Sequence, residues 1–121
     1  MQTRSSPASL CANDGIIFAR VKARSDGHHE DAGDIGLAAI ADGMSLLCDR
    51  THQIPGLEHL PVKAVVGKRT VEAVRFEHCD VVVCYESGHA IVKSMARMIR
   101  RVGKAYNRSD FGRPSDLASE P

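Results

Sequence analysis

The sequence contains no tryptophan, and aromatic residues make up only 4% of its 121 positions. A core without large rings must be built from Val, Ile, Leu, Ala and Met, which suits closely packed layers of helix and sheet. The same scarcity argues against sites that stack bases or sugars on aromatic faces. Excess charge is also missing. The formal net charge is +1, so no global field directs the chain toward nucleic acid or an anionic membrane. No uninterrupted apolar stretch approaches the roughly 20 residues that cross a bilayer. The opening Met1-Gln2-Thr3-Arg4-Ser5-Ser6-Pro7 has one positive charge but no apolar segment after it, unlike a secretory signal. The four cysteines, Cys11, Cys48, Cys79 and Cys84, lack CxxC spacing and lie in or beside apolar runs. That usage predicts buried, reduced thiols in a cytoplasmic protein rather than disulfides.

What is present is enough for one folded domain. The hydrophobic fraction is 43%, ordinary for a globular chain, and the length fits a single unit. The polar ends predict a flexible segment over 1–8, a domain over 9–105 and a disordered tail over 106–121. Ser9-Leu10-Cys11-Ala12 followed by Asn13-Asp14-Gly15 reads as a strand entering a tight turn, since Asp-Gly tolerates positive φ, and Gly15 to Val21 as the returning strand. Arg24 to Asp34 is charged and reads as a loop. Asp34 can then cap a helix to about Asp49, in which Leu37, Ile40, Ala41, Met44, Leu47 and Cys48 form an apolar stripe at helical spacing. The opposite side collects Ala38, Ala39, Asp42, Gly43 and Ser45. Gly43 lowers helix propensity but permits close backbone approach, so these five residues are the candidate contact for a partner helix.

After a loop over Thr51 to Pro61, three strands are expected at Val62 to Val66, Thr70 to Glu77 and Asp80 to Tyr85, the first two joined by a turn at Gly67-Lys68. The run Val81-Val82-Val83-Cys84-Tyr85 has no polar alternation and should be covered on both faces. A last helix over about Ser87 to Val102 carries the apolar stripe Ile91, Val92, Met95, Met98, Ile99 and Val102. Lys93, Arg97, Arg100, Arg101 and Lys104 lie on its other side, and the cations complement the C-terminal end of the helix dipole. This basic strip is the candidate binding surface for an acidic partner. Solvation alone also accounts for such a face, and nucleic acid is disfavoured because the strip has no interleaved aromatic.

The order strand, strand, helix, three strands, helix resembles that of the Roadblock/dynein light chain family. The resemblance rests on Asn13-Asp14-Gly15-Ile16-Ile17-Phe18-Ala19-Arg20, similar to the family's strand–DG–strand hairpin. It rests also on Glu30-Asp31 ahead of Leu37-Ala38-Ala39-Ile40-Ala41, similar to its acidic approach to an Ala/Leu-rich central helix. It covers roughly Ser9 to Val102 and implies an α+β fold, a five-stranded antiparallel sheet between helices in a profilin-like sandwich. It further implies a non-catalytic regulator or scaffold that dimerises with itself or a related Roadblock-type subunit, with sheets joined at their edges and central helices paired, and that serves a Ras-like small GTPase or a related signalling assembly. Family members often begin with a helix before the first strand. Here only about eight polar residues precede it, which implies a shortened variant or a partner that supplies the missing packing.

Other stretches hold residue types that can carry chemistry. Tyr85-Glu86-Ser87-Gly88-His89-Ala90-Ile91-Val92 resembles the HEAGHAIV stretch of membrane-tethered zinc proteases, in which two histidines four apart on a helix bind zinc and the Glu is general base. Tyr85 stands at the first histidine position, and a phenol is a poor substitute for imidazole, so a degenerate metalloprotease-like fragment ranks behind both binding readings. His28-His29-Glu30-Asp31 with Asp34 offers metal-type ligands in a charged loop, for which solvated charge is the simpler account. His52, His59 and His78 are isolated. Gly67-Lys68-Arg69-Thr70 lacks the earlier glycine of a phosphate loop, since Val62 holds that position. Cys84 lies in so apolar a run that its pKa should rise, unlike that of a nucleophile. No catalytic residue, metal or cofactor is expected.

Overall fold

In a computed structural model, residues 6–11, 15–58, 60–88, 97 and 99–104 are described. They form α1 (Pro7–Cys11), β1 (Ile16–Ala23), β2 (His29–Gly33), a 3-10 turn (Ile35–Leu37), α2 (Ala38–His52), β3 (Val62–Val66), β4 (Arg69–Arg75) and β5 (Cys79–Glu86). Residues 97 and 99–104 are helical and are called α3. The strands make one five-stranded sheet in the order β2-β1-β5-β4-β3, and every neighbouring pair is antiparallel. The expected α+β architecture is therefore the observed one.

The centre of the sheet follows from its composition. Residues Cys79 to Tyr85 of β5 are all buried, because an apolar run without alternation needs cover on both faces. One face packs Ile16, Ala19, Val21 and Ala23 of β1 and Cys79, Val81, Val83 and Tyr85 of β5 against Leu10 of α1 and Ile99 and Val102 of α3. The opposite face packs Phe18, Val71, Ala73, Val82 and Cys84 against Ala41, Met44 and Cys48 of α2. The layers are helix, sheet, helix. Gly67 and Lys68 make the β3–β4 turn, with Val66 paired to Arg69 and Gly67 at φ 64°.

Three expectations are corrected. Ser9 to Cys11 is helix rather than strand. Pro7 opens α1 with its φ already suited to a first helical position, Ser9 N–H donates to the Ser6 carbonyl at 3.0 Å, and Leu10 is wholly buried under the sheet. Ala12 to Asp14 lie outside the described residues. Second, Arg24 to Asp34 is not all loop. His29–Gly33 is the edge strand β2, paired along β1 with Asp31 opposite Arg20, so the first hairpin is β1–β2. Third, Leu47 is not core: it is 44% exposed, and the buried stripe of α2 is Ala41, Met44, Ser45 and Cys48.

A helix thus precedes the first strand after all, and with α3 it covers the sheet face that its absence would have left open. Asp34 does cap the approach to α2, its Oδ1 accepting from the Gly36 N–H at 3.0 Å, although the turn it caps is 3-10 and α2 continues to His52. The tail over 106–121, most of the segment 1–8 and most of the apolar stripe of the last helix lie outside the described residues. Ser87 and Gly88 form a turn, so the last helix does not begin at Ser87.

Candidate interaction surface

Two arginine–carboxylate networks fasten α2 to the sheet. Arg20, buried in β1, donates from Nε and Nη2 to the two oxygens of Asp31 at 2.6 and 3.0 Å, and from Nη1 to Asp42 Oδ1 on α2. Hydrogen bonding to Asp31 raises the Arg20 pKa further. Arg75 of β4 grips Asp80 through two bonds of 2.8 Å and reaches Asp49 of α2 at 2.6 Å. Its pKa is likewise raised, chiefly by Asp80. Asp80 is 1% exposed, and Arg24 adds a contact to it at 3.6 Å while donating to the carbonyls of Phe76 and Glu77. Bidentate pairing of this kind is what allows charge to be buried.

The outer side of α2 is open. Ala39, Asp42 and Gly43 are exposed, and a Cβ placed on Gly43 would meet nothing within 4 Å. The other two candidate contacts face inward. Ser45 is buried with its hydroxyl oxygen unbonded among the described residues, and Ala38 packs partly buried against the α2-side core. Spacing alone missed Leu46 and Leu47, which join Gly43 on the open side and are 63% and 44% exposed. The large exposed hydrophobics among the described residues are Ile35, Leu46, Leu47, Ile54, Leu60, Val65 and Val66. All fall between residues 35 and 66, on α2, its flanks and β3, and none lies on the other four strands.

The two sheet edges differ. β2 carries His29, Glu30 and Asp31, polar side chains of the kind that guard an edge against pairing. β3 reads Val62-Lys63-Ala64-Val65-Val66, with one charge and Val65 71% exposed.

On α3, Arg97, Arg100, Arg101 and Lys104 are exposed while Ile99 and Val102 are buried, as their spacing predicts; Lys93 lies outside the described residues. These four cations have no ion pair among the described residues. Arg100 also borders a cleft of about 310 Å³ lined by Pro61, Glu72, Val74 and Phe76. Gly103 is buried, and a Cβ there would run into the Phe76 ring. The sequence carries no signal for that close approach.

The remaining motifs take other forms. Tyr85 is in β5, buried, with its hydroxyl donating to Glu72 Oε1 at 3.2 Å. The helical i, i+4 arrangement of a zinc protease is therefore not formed around it; His89 lies outside the described residues. Burial raises the Tyr85 pKa. Asp31 is engaged by Arg20, while His29 Nε2 stands 3.8 Å from it, and the alternation of β2 turns Glu30 the other way. His52 Nδ1 is 3.1 Å from the Glu58 carbonyl oxygen. Burial pushes the thiol of Cys48 up to about 11 and that of Cys79 up to about 12, with Asp80 adding to both. Cys84 and Cys11 are raised by burial as well. No described helix is long and apolar enough to cross a membrane. No protein-family model matches the chain, and no curated protein is significantly similar to it.

Proposed function

We propose that the chain is a non-catalytic regulator or scaffold that works as a dimer through α2 and the β3 edge. The observation that carries this reading is that, among the described residues, the large exposed hydrophobics all fall within 35–66, on a molecule whose two sheet faces are otherwise closed by helices. Exposed apolar surface concentrated in one region marks an interaction site, and an edge strand almost free of charge invites strand pairing. The five-stranded antiparallel sheet between helices also agrees with what the Roadblock resemblance implies. That resemblance alone supplies the wider role, service to a Ras-like small GTPase or related signalling assembly.

Sedimentation at about 50 μM, where a micromolar interface is largely paired, should show a dimer. Gly43→Leu should weaken it while leaving the fold intact, because a Cβ there meets nothing within 4 Å in the monomer. A wild-type monomer at that concentration overturns the reading. The regulatory part is tested by titrating small GTPases from the source cell, loaded with GTP or GDP, and requires affinity that depends on the nucleotide.

A second reading has its own observation, the four exposed cations of α3. Binding to duplex DNA or RNA that weakens steeply with salt would favour a nucleic-acid module.

A further inference from the structure

We infer that the cleft between α3 and the β3–β4 wing of the sheet is a docking groove for an acidic protein segment that carries one bulky apolar side chain. The inference is independent of how copies of the chain pair.

Alternation along β4 sends its side chains into two environments. Val71 and Ala73 are buried under α2. Thr70, Glu72, Val74 and the following Phe76 belong to the other side and are only half-buried. The described turns of α3 pack on β1 and β5 and leave this row of β4 partly open. The result is the cleft of about 310 Å³, at the lower end of the ~300–1,000 Å³ that binding clefts enclose. It has room for an anchoring side chain rather than for a large cofactor. Val74 and Phe76 are its floor, Ile99 and Arg100 its α3 wall, and Pro61 borders it on the β3 side. Lys63 and Val65 continue that outer bank, because they pair with Glu72 and Thr70 and residues opposite each other in a ladder share a face. Both are exposed, Val65 by 71%.

Charge defines the occupant. Arg97 and Lys104 lie three and four residues from Arg100 and so share its side of the helix. These three cations and Lys63 are exposed and have no ion pair among the described residues. Arg75, which also lines the cleft, is already held by Asp80 and Asp49. Glu72 is the carboxylate in the lining. It accepts from the Tyr85 hydroxyl at 3.2 Å and stands opposite Lys63, so it does not cancel the cations of the rim. An apolar floor beneath a cationic rim fits a Leu flanked by Asp and Glu. Nucleic acid would supply the charge but nothing bulky and apolar for the floor. The Phe76 ring, moreover, lies against Gly103 rather than standing free to stack on a base.

The probe is a short fluorescein-labelled peptide of Asp and Glu around a central Leu, titrated with the full chain and followed by anisotropy. A Kd of roughly 10–100 μM is expected, and no binding by about 1 mM overturns the inference. Replacing the central Leu by Ala should weaken binding at least about fivefold, because the floor loses its contact. Equal affinity would mean that charge alone is read, and the groove reading would fall. This comparison leaves the protein untouched. Arg100→Glu should cost about tenfold and Lys63→Glu less, and both losses should shrink as salt rises. Both positions are exposed, so the fold should hold, and a chain indifferent to both substitutions refutes the proposal. Amide shifts on binding should gather over 61–76 and 97–104; shifts centred on α2 place the peptide elsewhere and refute it too. Tighter binding to duplex DNA or to phosphatidylserine vesicles than to the peptide gives the cations a different partner and overturns the inference.

Discussion

The two faces of the sheet are held down by different physics. Under α1 and α3 the contact among the described residues is chiefly apolar, from Leu10 through Val81 and Val83 to Ile99, with the Tyr85 hydroxyl bonded to Glu72. Under α2 a smaller apolar patch around Phe18 and Val82 is bordered by the buried charges Arg20 and Asp80. Apolar packing is tolerant of direction and roughly proportional to area, whereas ion pairs fix a helix in position at a desolvation cost. The helix pinned by charge is also the one that turns leucines outward. An interaction element gains from being held in one orientation, because its outer side then presents a fixed surface.

The strongest way to break this contrast is Asp80→Ala. It would leave the partly buried Arg75 with Asp49 but without its bidentate partner and should cost up to about 3–5 kcal/mol, read from urea unfolding. An Asp80→Ala protein with near-normal stability would mean that the charges only decorate that face. The apolar face should answer to shape instead. Gly103→Ala drives a methyl into the Phe76 ring and should cost about 1–3 kcal/mol. Phe76→Leu in the same chain should recover part of the loss, because the shorter side chain clears the space. Equal loss in the double variant would show that the clash is not the cause.

Thiol titration compares the faces again. Cys79 lies under α3 and Cys48 under α2, and both are raised by burial above the ordinary 9.0, to about 12 and about 11. The folded state therefore keeps protons that the unfolded state releases first. Their contribution to stability is fully present below pH 9.0 and is lost as pH rises through about 11 and then about 12. Unfolding free energy should fall with pH across that window. Cys79→Val should flatten the fall more than Cys48→Val, and an unchanged slope in both would show that other groups govern the alkaline limb.

Much of this architecture was legible because one period dominates where burial is complete. The unbroken Val81–Tyr85 run announces a central strand, the Gly67-Lys68 pair a turn, and the spacing of Ile99, Val102 and the α3 cations their opposite faces. The failures occur where a few local residues outweigh pattern. Apolar Leu10 and Cys11 suggest a strand, but Ser6-Pro7 ahead of them is a helix-start signal that outweighs so short a run. β2 is too polar to look like a strand, because an edge strand needs only one paired side and its Asp31 is matched by Arg20 across the hairpin. Arg20 itself stands out as a charge between apolar Ala19 and Val21, yet its partners depend on a register that spacing does not disclose. On α2, Leu47 falls at core spacing and still points outward. Charge at Asp42 and Asp49 rotates the buried stripe toward Ser45, a tertiary effect beyond the reach of periodicity.

The smallest stability effect is expected on α3. Arg97, Arg100 and Arg101 are exposed, while Ile99 and Val102 between them are buried, so a triple Arg→Gln variant removes charge without touching the core. The helix loses favourable interactions with its C-terminal dipole, about 0.3–1 kcal/mol each at low salt, and screening trims this further at physiological ionic strength. The urea midpoint should therefore move far less than for Gly103→Ala. If the strip docks an acidic partner, the variant should lose affinity mainly through a slower association rate, and the difference should shrink as salt rises. Arg100 should account for most of any residual loss in dissociation, since it alone of the three borders the cleft beside Phe76 and Val74. Full retention of binding to each partner recovered with wild type would make the strip a solvated face. Unfolding of the triple variant would place these arginines in the packing of α3 and erase the contrast between its two sides.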